Sequence, residues 1–282
     1  MEFAESGFAL AGLVLLVALV LVAIAAPYIS PQNPYDLAQL DVLDSRLAPG
    51  ELSSTTGKAY WLGTDDQGRD MLSGIFYGLR ISLAVGVAST AIALAIGLAL
   101  GLAAAYFGGW VDGVIMRVAD IQLSFPAILI ALILLAMLGQ GVGKIIAALV
   151  TIQWAYYART VRSTALVERQ KEYVEAAKVL ALSQPRIVFR HLLPNCLPPL
   201  IVVATVQIAH AISLEATLSF LGLGLPITEP SLGLLIANGF QYLLSGKYWI
   251  SFYPGLALLL TIVSINLVAD QLRDVLNPRL RK

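Results

Sequence analysis

The sequence predicts an all-α, polytopic membrane protein with six transmembrane helices, and three observations predict it. The first is composition: 58% of the 282 residues are apolar and 13% charged, with a mean hydropathy of +0.80, where a soluble domain carries roughly 25% charge. The second is a series of uncharged apolar runs near the roughly 20 residues that cross a bilayer core. The third is that the second half has a single long polar interruption, Glu172 to Pro194, flanked by apolar runs. Net charge is zero, so no basic field points to a nucleic-acid partner. The single cysteine, Cys196, excludes an internal disulfide and cannot make a metal site alone.

The first span runs from Phe8 to Ala26, inside an uncharged stretch covering 6–35. A cleaved signal peptide is the rival reading, because Ala23-Ile24-Ala25 resembles a small-residue cleavage site. Glu2 and Glu5 are acidic and no Lys or Arg precedes the run, which favours a retained helix. Residues 27–80 form a polar connection containing the turn cluster Leu62 to Asp70. Its glycines permit unusual backbone angles and its aspartates cap turns and helix starts. Asp65, Asp66 and Asp70 resemble calcium ligands, but the twelve-residue calcium-loop pattern closing on Glu is absent; the cluster is expected to shape the entry to the second span, at 81–111.

Gly97 and Gly101, four apart, predict close helix packing in that span. The third apolar run, 121–143, carries Pro126 as a kink site. The fourth, 145–158, is short: 14 uncharged residues cover about 21 Å of a core of about 30 Å, so Lys144 and Arg159 must reach the interfaces. The fifth is 197–214 and the sixth 249–269. Between them, Pro226 and Pro230 and the basic character of both the 159–190 loop and the tail (Arg273, Arg279, Arg281, Lys282) require an even number of crossings. Residues 225–247 are therefore expected as an outer loop with a re-entrant or surface helix, with both chain termini cytoplasmic.

Within the polar interruption, Glu172, Glu175 and Lys178 share one helical face, and Val174, Ala177 and Leu180 the other, with Ala176 and Val179 close by. Pro185 limits that helix, and Pro194, Pro198 and Pro199 are expected to break the chain before the fifth span. Taken alone, this is a solvated loop helix. However, Glu175-Ala176-Ala177, the small residue Ala181 and Leu193-Pro194 resemble the EAA loop of bacterial ABC-importer permeases. Tyr173-Val174 before it and Phe189 to Asn195 after it resemble the dipeptide/oligopeptide/nickel branch, as do Leu62 to Asp70, Tyr106 to Asp112, Glu215 to Gly224 and Asp270 to Pro278. Ala181 stands where that family usually has glycine, and His191 where many importers have an aliphatic residue.

The resemblance implies a type I ABC-importer permease fold. Residues 1–80 would form an N-terminal helix and extracytoplasmic loop, and residues 81–282 a five-helix permease core with its coupling loop at 166–195. It implies that Glu172, Tyr173, Glu175, Ala176, Ala177, Ala181, Leu193 and Pro194 couple to an ATPase. The implied partners are a second permease subunit, two ABC ATPase subunits, an extracytoplasmic substrate-binding protein and the lipid bilayer of the cytoplasmic (inner) membrane. The implied cargo is a di- or oligopeptide, with nickel or another small solute as the alternative.

Polar groups inside apolar runs face other helices or water, so Gln153, Gln207, His210 and Glu215 are candidates for a translocation path. An interhelical hydrogen bond is the other reading of His210, and a proton relay through His210 and Glu215 would make a secondary transporter instead. No G-x-x-x-x-G-K-[ST] stretch is present, so no ATP site is expected in this chain; ATP and magnesium would be held by the ATPase partners. His210 and Ser213 lack any base-orienting or oxyanion group, and no catalytic residue or metal site is expected.

Overall fold

A computed structural model describes residues 6–276 apart from Leu37, Gln39 and Ile227. Glu2 and Glu5, which favour a retained helix, and the tail residues Arg279, Arg281 and Lys282, which bear on topology, lie outside the described residues. The regular structure is helical. In order it comprises α1 (Gly7–Ile29), α2 (Met71–Phe107), α3 (Gly109–Leu123), α4 (Ala127–Leu138), α5 (Val142–Glu168), α6 (Glu172–Val179), α7 (Gln184–Ile187), a wide-turn π segment (Val188–Leu192), α8 (Leu193–Phe220), α9 (Leu232–Phe240) and α10 (Trp249–Leu276).

Among the described residues, four stretches are long and apolar enough to cross a membrane: α1, α2, the continuous 184–220 and α10. α3 and α4 make a fifth if the pair, bent by 91°, is one span. The bend falls at Ser124-Phe125-Pro126, where proline disfavours helical geometry in the residue before it. α5 has 27 residues and a length of about 40 Å, but Gln153, Arg159 and Arg162 make it too polar to qualify on composition. Its charges are answered by α3, where Asp120 pairs with Arg159 and Asp112 with Arg162. The expected short helix at 145–158 is therefore a long one that carries ion pairs instead of ending at Arg159.

α2 begins at Met71, well before the expected 81. Asp70 caps it, accepting from Ser73 N at 2.8 Å, and Met71, Ile75 and Leu79 are buried, so the polar look of 71–80 hid an inward face. Gly97 and Gly101 press on the α5 backbone, where a Cβ would meet the Trp154 and Ala158 carbonyl oxygens. The packing expected of that pair is present. A second correction concerns the prolines. Pro194, Pro198 and Pro199 do not break the chain, because they lie inside one helix running from Gln184 to Phe220. Pro194 cannot donate the usual helical bond, and the wide turns just before it, where Leu193 N reaches back to Val188 O, accommodate the defect.

The Leu62 to Asp70 cluster folds on itself. Asp65 and Arg69 form a fully buried ion pair at 2.6 Å, and Trp249 Nε1 donates to Thr64 O at 3.2 Å, which ties the turn to the start of α10. At the same end lies α9, whose 9 residues span only about 13 Å, so it does not cross a bilayer, as expected for 225–247. Gly233 abuts the Ala216 backbone of α8, and Gly239 abuts Ile250 and Ser251 of α10.

Candidate functional site

At the opposite end, α6 is a two-turn helix. Glu172 and Glu175 occupy its first turn and Lys178 its last, each placed favourably in the helix dipole. Its end is a Schellman motif: Leu182 N bonds Ala177 O at 3.1 Å and Ala181 N bonds Lys178 O at 2.9 Å. That motif needs a left-handed residue, and Ala181 takes it with φ of +53°. A residue with a Cβ there costs about 1–2 kcal/mol, so the alanine at this position stores strain that glycine would not.

Val174 and Ala177 are buried. They join one apolar cluster with Leu102 and Ala105 of α2, Val161 and Ala165 of α5, and Leu200 of α8. Burying Val174 alone stabilises this seat by about 1.5–3 kcal/mol. Beside it, Glu168 at the end of α5 accepts from Tyr173 Oη at 2.6 Å and from Lys171 Nζ at 2.6 Å. Asn195 Nδ2 donates to Tyr173 Oη at 3.2 Å and to His191 O at 2.7 Å. Burial, reinforced by Glu168, pushes the Tyr173 phenol up to about 12, so it stays a donor at neutral pH. The short helix is thus bolted to both α5 and α8.

Its other side is open. Glu172, Glu175 and Ala176 are exposed, as are Val179 and Leu180, at 86% and 73%. Leu180 departs from the expected apolar face, because the helix has already ended at Val179 and Leu180 turns out with the cap. Leu193 is half-buried against the same cluster, and Pro194 is exposed. The residues expected to couple are therefore brought together in two groups: Tyr173 and Ala177 inside the seat, Glu172, Glu175 and Ala176 on the free surface. Glu168 was not singled out from sequence; nothing in its spacing pairs it with Tyr173 of α6.

The path candidates separate. Gln153 is buried on α5 and accepts from Thr90 Oγ1 at 3.3 Å. Glu215 is fully buried, and its carboxylate accepts from Ser82 Oγ of α2 and from Ser219 Oγ, each at 2.8 Å. His210 is exposed on α8. Gln207 lines a cleft of about 810 Å³ between α5, α8 and α10, together with Tyr156, Pro198, Asp270 and Arg273. The cleft opens beside Glu168 and Lys171, at the end of the bundle that carries α6.

A membrane bundle whose short polar helix is seated in the core but open on one side is the architecture of a transport permease. Residues 93–282 match the family described as binding-protein-dependent transport system inner membrane component, and residues 2–49 match the N-terminal TM domain of oligopeptide transport permease C. This chain belongs to the binding-protein-dependent inner-membrane transport components. It is 41% identical to the dipeptide transport system permease protein DppC of Escherichia coli K12 over 99% of this chain and 92% of that one. It is 36% identical to DppC of Bacillus subtilis over 99% and 84%. The fold is shared with the MetNI methionine ABC transporter in its inward-facing conformations, with a TM-score of 0.57 at 22% identity over 73% of this chain and 98% of that one.

Proposed function

We propose that this chain is the permease subunit of an ATP-driven importer of di- or oligopeptides, crossing the cytoplasmic membrane six times with both termini inside. The α3–α4 pair and α5 supply the two crossings that composition alone does not establish. A second, related permease completes the passage, and an extracytoplasmic binding protein delivers the peptide. Two ATPase subunits, which hold the ATP and magnesium, dock on the exposed side of α6 and on its counterpart. The peptide cargo rests on the likeness to the dipeptide permeases of E. coli and B. subtilis.

The observation that carries this reading is the split character of α6. Glu172, Glu175, Val179 and Leu180 are presented to a partner, while Val174 and Ala177 sit in the cluster that joins α2, α5 and α8. A push on the free side reaches three long helices without an intervening loop, and alternating access follows from their rocking. Tyr173, Ala181, Leu193 and Pro194 hold the helix at its angle. Gln207 and His210 face the passage, while Gln153 and Glu215 fasten helices to one another.

Glu175→Lys tests it. Reconstituted with its partners, the variant should lose ATP-driven peptide uptake by tenfold or more, by order of magnitude for a reversed interface charge, with insertion and bundle stability unchanged. Uptake at the normal rate would remove the docking role of α6.

A further inference from the structure

A second cavity, of about 490 Å³, lies between the end of α2 and the α7–α8 junction, within the range of ligand clefts of about 300–1,000 Å³. Ala95, Ala99 and Ala103 form its floor on α2, and Pro185, Phe189 and Leu193 its opposite wall. Its lining side chains are apolar except for the Tyr106 hydroxyl. We propose that this cavity holds one acyl chain of an anionic phospholipid, whose phosphate is taken by Arg186 and Arg190.

Two features choose the occupant. The first is length. From Ala95 to Phe107 the lining of α2 rises about 18 Å, close to half of a hydrocarbon core of about 30 Å. That is the depth of one leaflet, and a transmembrane helix of a partner would need a groove about twice as long. Phe107 and Trp110, exposed at 68% and 78%, place the end of α2 at the aromatic level of the interface. The second is charge. Arg186 and Arg190 directly follow two lining residues, Pro185 and Phe189. Both are exposed, and among the described residues neither belongs to an ion pair. The basic residues at this end of α5 and in the turn after it are already used: Arg159, Arg162 and Lys171 by carboxylates, and Arg169 by the carbonyl oxygens of Ala105 and Tyr106. An apolar slot one leaflet deep, with two exposed arginines outside any ion pair on the segment that forms its wall, has the chemistry to receive a phosphodiester carrying a fatty chain.

The test is native mass spectrometry of the assembled permease–ATPase complex taken from bilayers of equal phosphatidylglycerol and phosphatidylcholine. The wild-type complex should retain phosphatidylglycerol in preference. Arg186→Gln with Arg190→Gln should cut that preference by about 30-fold, the effect of two interfacial cations. Ala99→Phe, which fills the slot, should reduce retention of both lipids, and Lys58→Gln, far from it in the 27–80 connection, should leave the preference unchanged. The proposal is overturned if the arginine double variant keeps the wild-type preference or if the wild-type complex retains no lipid. A photo-reactive side chain placed at residue 99 that captures the second permease in place of lipid overturns it as well.

Discussion

α6 and α9 are both short helices at opposite ends of the same bundle, and they are fastened in contrary ways. α9 is held backbone to backbone: Gly233 lies on Ala216, Gly239 on Ile250 and Ser251, and Leu232 against Gly78. Its N-cap Ser231 is fully buried and bonds Leu234 N at 3.2 Å, and the buried Glu215 carboxylate ties α2 to α8 nearby. Only on the α2 side do side chains intervene, where Leu232 and Leu235 meet Gly78 and Gly74. α6 is held by two apolar side chains, one phenol and a strained cap, with its remaining surface free. Contact through glycine makes a joint that moves as one body. Contact through Val174, Ala177 and Tyr173 makes a seat that transmits force yet presents a face to a partner.

The contrast is most exposed to Gly233→Val. The added side chain collides with the Ala216 backbone, which cannot yield as a side-chain tip can, so stability should fall by on the order of 3 kcal/mol. Thermal unfolding of the purified complex checks this, and a variant as stable as the parent would show that α9 is not locked. Tyr173→Phe comes next. It keeps the ring in its seat and removes the bond to Glu168, costing about 1–2 kcal/mol locally. Proteolytic nicking within 166–195 should accelerate and uptake should fall, while the global melting temperature moves little. The smallest effect, and the one of opposite sign, is Ala181→Gly. Relief of the left-handed strain outweighs the extra freedom of the unfolded chain by about 0.5–1 kcal/mol, and the same proteolysis assay should slow. A loop that is cleaved faster in this variant would contradict the strained cap.

The legible parts of this molecule are those where residue type alone dictates the outcome. Apolar runs declare α1 and α10, and Gly97 with Gly101 declare a close helix contact, whose partner, α5, only the structure names. The inward placement of Val174 and Ala177 follows from helical periodicity. What stayed hidden depends on a partner far along the chain. Arg159 read as the end of a span because Asp120, which neutralises it, belongs to another helix. Pro194, Pro198 and Pro199 read as breaks because nothing local signals that the Val188–Leu192 turns widen to take in Pro194, or that α8 continues through Pro198 and Pro199. Glu168 carried no signal of its own in the sequence, because its role depends on Tyr173 and Lys171 donating to it and on Asn195 holding the Tyr173 hydroxyl. Leu180 was misplaced by a single residue of helix, since periodicity continues past a cap that geometry does not. Ala181 was noted in sequence for what it replaces; only its φ of +53° turns that into a stability difference.

The central claim is that the open face of α6 meets a cytoplasmic partner. Cysteine substitution at Lys178 with a membrane-impermeant maleimide addresses it directly, and the native Cys196 is buried and should react little. Labelling is expected in inside-out vesicles stripped of the ATPase subunits, with protection when those subunits are added back. Labelling of the same residue in intact cells, or labelling indifferent to the ATPase subunits, would contradict it.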